Sequence, residues 1–305
     1  MNKPIIVHTH FRGGGGIGDF IRSALSFYSL CKRYGYEYYI SFEENPILKS
    51  CFIYKSVPTE YINMDKISIR IEQKDIIFNE DFFTTKVNDI INETNNINKV
   101  ICLYSNAIGI EKYENINLIK EEFLNNILIP SVSVQNYINL TYRQLDIFNN
   151  NYLSVHIRCG DKYIETENKQ YNSKDKRLDI DNIEIYDKYN NCIQTFIKKY
   201  NIDLPILIHS DCNLFKKNLI NLNNNYKILD IKISHISENT GSTDEDSYIA
   251  TVAEFYILAN ANIILAPYTY SGFSHIGSLI NNKPLYTHLH NNYYKLIHTN
   301  NIIYI

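Results

Sequence analysis

The sequence lacks three features that would assign it to a specialised class of protein. It has no run approaching the ~20 apolar residues of a membrane-spanning helix. Its first residues have neither the basic start nor the apolar run of a signal peptide. Its net charge is -3, whereas a general nucleic-acid binder needs a concentrated excess of Lys and Arg. We therefore expect a soluble, cytoplasmic protein with no membrane span and no nucleic-acid partner.

Zinc-site spacing is also absent from the sequence. The six cysteines are scattered and include no Cys-x-x-Cys pair, which is typical of reduced thiols in a cytosolic setting. The chain has 305 residues, of which 45% are hydrophobic and 21% charged. That composition suffices for two α/β lobes, or for one large domain with insertions.

Apolar strands alternate with helical patterns, most clearly in the second half of the chain. This alternation predicts an α/β fold with mostly parallel, doubly wound sheets, and each half resembles a Rossmann-like lobe. An Asn-rich break at residues 149–151 predicts the boundary between an N-terminal lobe, 1–150, and a C-terminal lobe, 151–305. The predicted strands lie at 5–10, 36–42, 67–71, 100–104, 152–158, 206–209, 226–231, 262–266 and 284–289.

A glycine-rich loop joins the first predicted strand to the first predicted helix, 19–34. Gly13, Gly15 and Gly18 satisfy the pattern G-x-G-x-x-G. Such a loop lets backbone amides and a helix N-terminus approach a diphosphate. Glu43 follows the second predicted strand and could bind the ribose of a dinucleotide, which keeps an NAD(P)-dependent oxidoreductase open. Alternatively, the loop is a tight turn that only allows close packing of the helix on the sheet.

The segment 152–161, Tyr-Leu-Ser-Val-His-Ile-Arg-Cys-Gly-Asp, predicts a buried strand that ends in polar groups. His156, Arg158 and Asp161 lie at its carboxyl end, which is the edge where ligands bind in open α/β sheets. The planar guanidinium of Arg158 suits a phosphate or a carboxylate. Alternatively, Arg158 and Asp161 form a local ion pair that closes the turn.

Two further loops follow predicted strands of the same lobe. Ser271-Gly-Phe-Ser274 begins a helix, where its hydroxyls and amides could bind an anion or Ser271 could simply cap the helix. Asp211 could cap the next helix, or contact a base or ribose. Because these loops follow different strands of one sheet, we expect them to converge with Arg158 into one metal-free diphosphate site. Asp179-Ile-Asp181 has the D-x-D spacing of a metal-dependent transferase but lies in a polar stretch, so we interpret it as solvated surface.

The order of these motifs resembles the fucosyltransferase superfamily, which includes the α-1,2- and α-1,6-fucosyltransferases and the protein O-fucosyltransferases. The glycine loop, His156-Ile-Arg-Cys-Gly-Asp161 and Ser210-Asp211 carry the resemblance. The segment 253–274, which contains Glu254 and ends in Ser-Gly-Phe-Ser, is similar to the third motif of that superfamily. The resemblance covers both ends of the chain and leaves residues of about 45–150 unassigned.

The resemblance implies a GT-B-like architecture of two lobes and a metal-independent glycosyltransferase without a cofactor. Fucose would move from GDP-fucose, bound in the C-terminal lobe, to a hydroxyl of a glycan or glycoprotein. Arg158 would grip the donor diphosphate, His156 would support it, and Asp211 would contact the guanosine. The other donor-binding residues would be Gly15, Gly16, Gly18, Ser271, Gly272, Phe273 and Ser274.

The chain departs from the family's motifs at two positions. The first loop usually reads Gly-x-Gly-Asn and here reads Gly16-Ile-Gly18-Asp19, and Cys159 stands where a second arginine is common. Asp19 is our candidate for the general base that takes the acceptor's proton, although an acid at this position also serves as a helix cap. Other readings stay open: a different donor, such as another GDP-sugar or an ADP-heptose, or a protein that binds the donor without turnover.

Overall fold

The chain folds into two compact units, which meet in sequence between Ser131 and Val132. The computed structural model describes residues 4–10, 16–70, 85, 89, 100–104, 113–164, 174–231, 244–268, 271–289 and 292–296. None of the helices in this described part combines the length and the apolar character needed to cross a membrane.

The first unit is built around a parallel sheet. Its strands are β1 (Ile5–Thr9), β2 (Glu37–Ser41), β3 (Phe52–Tyr54), β4 (Lys66–Arg70), β5 (Val100–Tyr104) and β6 (Leu128–Pro130). Its described helices are α1 (Ile17–Tyr34), α2 (Pro46–Ser50) and α3 (Tyr113–Asn126). The main sheet has the order β2-β1-β5-β4 with all pairs parallel, and β3 pairs with β6 in a separate antiparallel ribbon.

The helix α1 begins and ends at residues whose chemistry explains its bounds. At its start, the N–H of Gly16 donates to the carboxylate of Asp19 at 3.2 Å, so this side chain satisfies one backbone donor at the beginning of the helix. At its end, Gly35 adopts φ +74°, a left-handed conformation that glycine takes without strain. Between these caps, Phe20, Ala24 and other apolar residues of the helix are buried.

The second unit contains the larger sheet. Its strands are β7 (Leu153–Ile157), β8 (Ile206–Ser210), β9 (Tyr226–Ile228), β10 (Ile263–Ala266), β11 (Leu285–Leu289) and β12 (Asn292–Leu296). Its described helices are α4 (Val132–Leu145), α5 (Glu184–Tyr200), α6 (Asn213–Leu222), α7 (Glu245–Ala259) and α8 (Gly272–Ile280). The sheet has the order β12-β11-β10-β7-β8-β9, and only β12 is antiparallel to its neighbour. The predicted fold class, α/β with mostly parallel sheets in two Rossmann-like units, is confirmed.

The strand β7 occupies the middle of this sheet, between β10 and β8. All five of its residues are buried, as expected for a parallel strand that is covered on both faces. Its register with β8 pairs His156 with His209 and Ile157 with Ser210. Because β10, β7 and β8 run parallel, their carboxyl ends and the loops that follow lie at one edge of the sheet.

The helix α4 explains where the two units divide. The Asn-rich break at 149–151 predicted a boundary at residues 150 and 151, whereas the units divide before Val132. The helix α4 packs against α7 of the second unit. Its Tyr142 hydroxyl lies 3.3 Å from the Tyr152 hydroxyl and accepts from the Asn260 amide at 3.2 Å. Tertiary packing of this helix, which the local sequence does not display, therefore assigns it to the second unit.

Candidate functional site

Three loops of the second unit meet at the carboxyl edge of its sheet. They follow β10, β7 and β8, which are neighbours in the sheet and parallel. The structure thereby brings together the second-unit residues that the sequence singled out. They are His156, Arg158, Asp161, Asp211, Ser271, Gly272, Phe273 and Ser274.

The guanidinium of Arg158 lies within a cluster of carboxylates. Its Nη1 donates to Asp211, its Nη2 donates to Asp161, and Nη2 lies 3.7 Å from an oxygen of Asp175. The side chains of Arg158 and Asp211 are only 15% and 7% exposed. Burial alone would lower the pKa of Arg158, but Asp211 and Asp161 outweigh it and hold that pKa above its ordinary value. Arg158 is therefore a fixed cation, and its local ion pair with Asp161 is present.

Asp211 fixes the backbone that carries Arg158. One of its oxygens accepts from the N–H of Cys159 at 2.6 Å, and the other accepts from the N–H of Gly160 at 2.9 Å. The resemblance assigned this residue to the guanosine of the donor. In the structure, both oxygens are engaged by the turn after β7 and by Arg158. The geometry therefore supports a positioning role for Asp211.

A second segment, Lys174–Leu178, packs over the turn at Gly160. The N–H of Lys162 donates to the carbonyl of Asp175 at 3.1 Å, and the N–H of Arg177 donates to the carbonyl of Cys159 at 2.9 Å. Gly160 has φ +117°, and a Cβ there would collide with the carbonyl oxygen of Asp175. Only glycine permits this approach. Apart from Gly160, no sequence pattern indicates that this polar stretch packs against the end of β7.

His156 stacks on Phe273 at the start of α8. The ring centroids are 5.3 Å apart, with an interplanar angle of 18°. Burial lowers the pKa of His156 well below its ordinary value, and His209, Arg158 and Arg177 lower it further. The imidazole is therefore neutral at pH 7. Within the described part of the chain, its Nδ1 has no hydrogen-bond partner.

The hydroxyls of the Ser-Gly-Phe-Ser loop are used in capping α8. The Oγ of Ser271 accepts from the N–H of Phe273 at 3.2 Å, and its carbonyl accepts from the Oγ of Ser274 at 3.2 Å. The structure thus has the ordinary helix cap that was the alternative to an anion-binding loop. The stacking of Phe273 on His156 places the N-terminus of α8, with its first-turn N–H groups, at the edge where β7 ends.

Behind this edge lies a buried set of hydrogen-bonded side chains that was not predicted from the sequence. His209 Nδ1 lies 3.2 Å from an oxygen of Glu254, and His209 Nε2 lies 3.0 Å from the Oγ of Ser154. All three residues are buried, and His209 is the register partner of His156. These hydrogen bonds connect β7 and β8 to α7. No sequence spacing signals it, because the three residues are distant along the chain.

The glycine loop belongs to the first unit. Residues 11–15, with Gly13 and Gly15, lie outside the described residues, whereas Gly16 and Gly18 begin α1. One oxygen of Asp19 accepts from Gly16, as described above, and the other accepts from Arg22 Nη2 at 2.8 Å. The structure therefore gives Asp19 the role of a helix cap, and its role as a base stays a prediction.

Two motifs considered for other chemistries lie at the surface. The side chain of Glu43 is exposed, with an oxygen 3.9 Å from the Nζ of Lys66. Asp179 pairs with Lys176 at 2.8 Å, and both Asp179 and Asp181 are exposed, as the sequence indicated. Among the described residues, no group of three or more His, Cys, Asp or Glu side chains could hold a metal ion.

Comparison with solved structures finds proteins of the same fold. NodZ α-1,6-fucosyltransferase soaked with GDP-fucose matches with a TM-score of 0.57 at 13% identity, over 97% of this chain and 99% of that one. Fucosyltransferase NodZ from Bradyrhizobium matches with a TM-score of 0.56 at 14% identity, over 97% and 100%. A mutant of Arabidopsis thaliana FUT1 in complex with GDP matches with a TM-score of 0.54 at 8% identity, over 94% and 71%.

Sequence comparison adds nothing to this result, since no protein-family model and no curated protein matches the chain. At identities of 8–14%, the likeness to NodZ and FUT1 concerns the fold. The likeness extends over both units, because it covers 94–97% of the chain. The protein therefore shares the fold of these fucosyltransferase structures, with a mostly parallel sheet in each of its two units.

Proposed function

We propose that the protein is a glycosyltransferase that moves a sugar from a nucleotide diphosphate sugar to a hydroxyl of a glycan or glycoprotein. GDP-fucose is the donor we favour. The observation that carries the proposal is the position of Arg158, a fixed cation at the carboxyl edge of the second-unit sheet. At this edge, Phe273 in the first turn of α8 stacks on His156. The fold supports it, because the similar NodZ structure was soaked with GDP-fucose and the similar FUT1 structure is in complex with GDP.

The reaction breaks the bond between the anomeric carbon of the sugar and the diphosphate. Positive charge develops on the sugar, and negative charge develops on the departing diphosphate. A fixed guanidinium and the N–H groups of a helix terminus stabilise that negative charge without rearranging, which is the usual electrostatic route to a faster reaction. We propose that Arg158, held by Asp211, and the first turn of α8 do this. We therefore propose that the reaction needs neither a metal ion nor a cofactor.

His156 gives the same site a neutral hydrogen-bonding group. Because burial keeps its imidazole uncharged, its N–H can donate to a phosphate oxygen without adding a second buried charge beside Arg158. Its ring is held in place by Phe273. We propose that His156 orients the diphosphate and that Asp211 acts through Arg158, as a positioning residue.

A thermal-shift panel in EDTA tests the proposal. We expect GDP and GDP-fucose to raise the melting temperature, and NAD, UDP and UDP-glucose to leave it unchanged. A ligand at about 100 times its dissociation constant adds about 2.7 kcal/mol of stability, which is readily measured. Stabilisation by NAD but not GDP would contradict the proposal in favour of an oxidoreductase. Binding of GDP that requires a divalent cation would contradict the metal-independent mechanism.

Turnover then separates an enzyme from a protein that only binds the donor. We expect GDP to be released from GDP-fucose in the presence of a glycan acceptor, and the release to continue in EDTA. Tight binding of GDP-fucose with no release over a panel of glycan and glycopeptide acceptors would identify a binding protein instead.

A further inference from the structure

We propose that Arg177, in the segment over the Gly160 turn, is a second diphosphate-binding arginine of this site. The inference rests on the proposed function, since it takes a nucleotide diphosphate as the ligand. It concerns a residue that no motif in the sequence marks. The physical reasons are the charge balance around Arg158 and the anchoring of Arg177 beside it.

Arg158 alone offers one positive charge to a diphosphate. Asp161, Asp175 and Asp211 lie around this guanidinium and hold it at the edge of the sheet. A diphosphate carries two or more negative charges, and each further cation close to it adds to the attraction. A second guanidinium beside Arg158 would therefore strengthen the binding of a nucleotide diphosphate.

Arg177 lies next to Arg158 at this edge. Its backbone N–H is anchored on the carbonyl of Cys159 at 2.9 Å, so the residue is fixed next to the turn that carries Arg158. Its Nε lies 3.3 Å from both oxygens of Asp175, the carboxylate that also faces Arg158. Its side chain is 42% exposed, unlike that of Arg158, and is therefore accessible to a ligand from solvent.

The effect of Arg177 on its surroundings agrees with this position. Its charge lowers the pKa of the buried His156, in the same direction as Arg158 and after the larger effects of burial and of His209. Both guanidinium groups therefore act on the imidazole that we place beside the diphosphate. Asp175 lies between the two arginines and would orient them towards a shared anion.

Isothermal titration with GDP in EDTA tests the inference. The variants are Arg177→Ala, Arg177→Lys and the control Lys176→Ala, which removes an equal charge from the adjacent exposed residue. A charge-assisted hydrogen bond is worth about tenfold to a hundredfold in affinity. We expect Arg177→Ala to weaken GDP binding at least about tenfold, and Arg177→Lys to recover only part of it because lysine lacks the planar fork. Lys176→Ala should change the affinity less than about threefold, since exposed charges are screened.

Two measurements keep the outcome unambiguous. Circular dichroism should show that Arg177→Ala melts like the unmodified protein, since its anchoring contact is a backbone one. The affinity for GDP should also fall less steeply with salt in Arg177→Ala, because one ionic contact is gone. If the unmodified protein binds GDP and Arg177→Ala binds it equally well, the inference alone is overturned. If the unmodified protein binds no nucleotide diphosphate, the proposed function is overturned with it.

Discussion

Asp211→Asn tests whether the cluster around Arg158 has the geometry described. The substitution keeps the size of the side chain and removes its charge. Breaking a buried ion pair costs about 3–5 kcal/mol, and a buried N–H that loses its acceptor costs about 1–3 kcal/mol. Asn retains one acceptor oxygen for Cys159 or Gly160, and Arg158 keeps Asp161 and a more distant Asp175. We therefore expect the lower end of the ion-pair range, a loss of about 3 kcal/mol.

Urea unfolding followed by circular dichroism measures this loss. The double variant Arg158→Met/Asp211→Asn should be less destabilised than the sum of its single variants by more than about 1 kcal/mol, because contacting residues couple. Asp179→Asn is the matched control. It removes an exposed ion pair with Lys176 and should leave the unfolding midpoint unchanged. A loss below about 1 kcal/mol for Asp211→Asn, or strict additivity with Arg158→Met, would refute the cluster as the support of this edge.

The other substitutions separate structure from chemistry. Arg158→Lys should lower turnover about a hundredfold with the fold intact, since it keeps the charge but loses the fork; near-normal turnover would place the diphosphate elsewhere. Gly160→Ala should weaken GDP binding and increase proteolysis of the segment over the turn, because the added Cβ collides with Asp175; an unchanged proteolytic pattern would contradict that packing. His156 has a lowered pKa in the folded state, so below pH ~6.5 the unfolded chain binds a proton that the folded chain does not. The free energy of unfolding should therefore decrease by up to about 1.4 kcal/mol for each unit by which the pH is lowered. His156→Phe should remove this part of the slope between about pH 6.5 and 5, as measured by urea unfolding at each pH, and an identical slope would refute the buried, neutral imidazole. If Asp19 is the base, Asp19→Asn should lower turnover about a hundredfold or more with the affinity for GDP unchanged; turnover within a few-fold of the unmodified protein would leave Asp19 only as a cap of α1.

The parallel strands and the edge they form could be predicted from the sequence. A run of buried apolar residues ending in a polar group marks a central strand, and β7 with Arg158 follows that pattern within a residue at each end. Gly35 likewise marked the end of α1, whereas the helix begins at Ile17, two residues before the predicted start at Asp19. These features are local, so the sequence displays them directly.

The remaining features depend on contacts between distant parts of the chain. The ribbon of β3 and β6 consists of two strands of three residues each, too short to show a period. Residues beyond β11 were not predicted as a strand, because β12 is defined by pairing with its neighbour. Arg177 contacts the turn after β7, and Glu254 contacts His209. Both contacts join residues that are distant in sequence, so no local pattern predicts them.

Hydrogen–deuterium exchange with and without saturating GDP, in EDTA, tests the central claim most directly. The claim is that the carboxyl edge of the second-unit sheet binds the diphosphate of the donor. We predict slower exchange in peptides that cover residues 157–163, 174–178 and 271–275, and unchanged exchange around Glu43. Protection confined to α1 and Glu43, with none at the Arg158 edge, would contradict the account and indicate a dinucleotide-type site in the first unit.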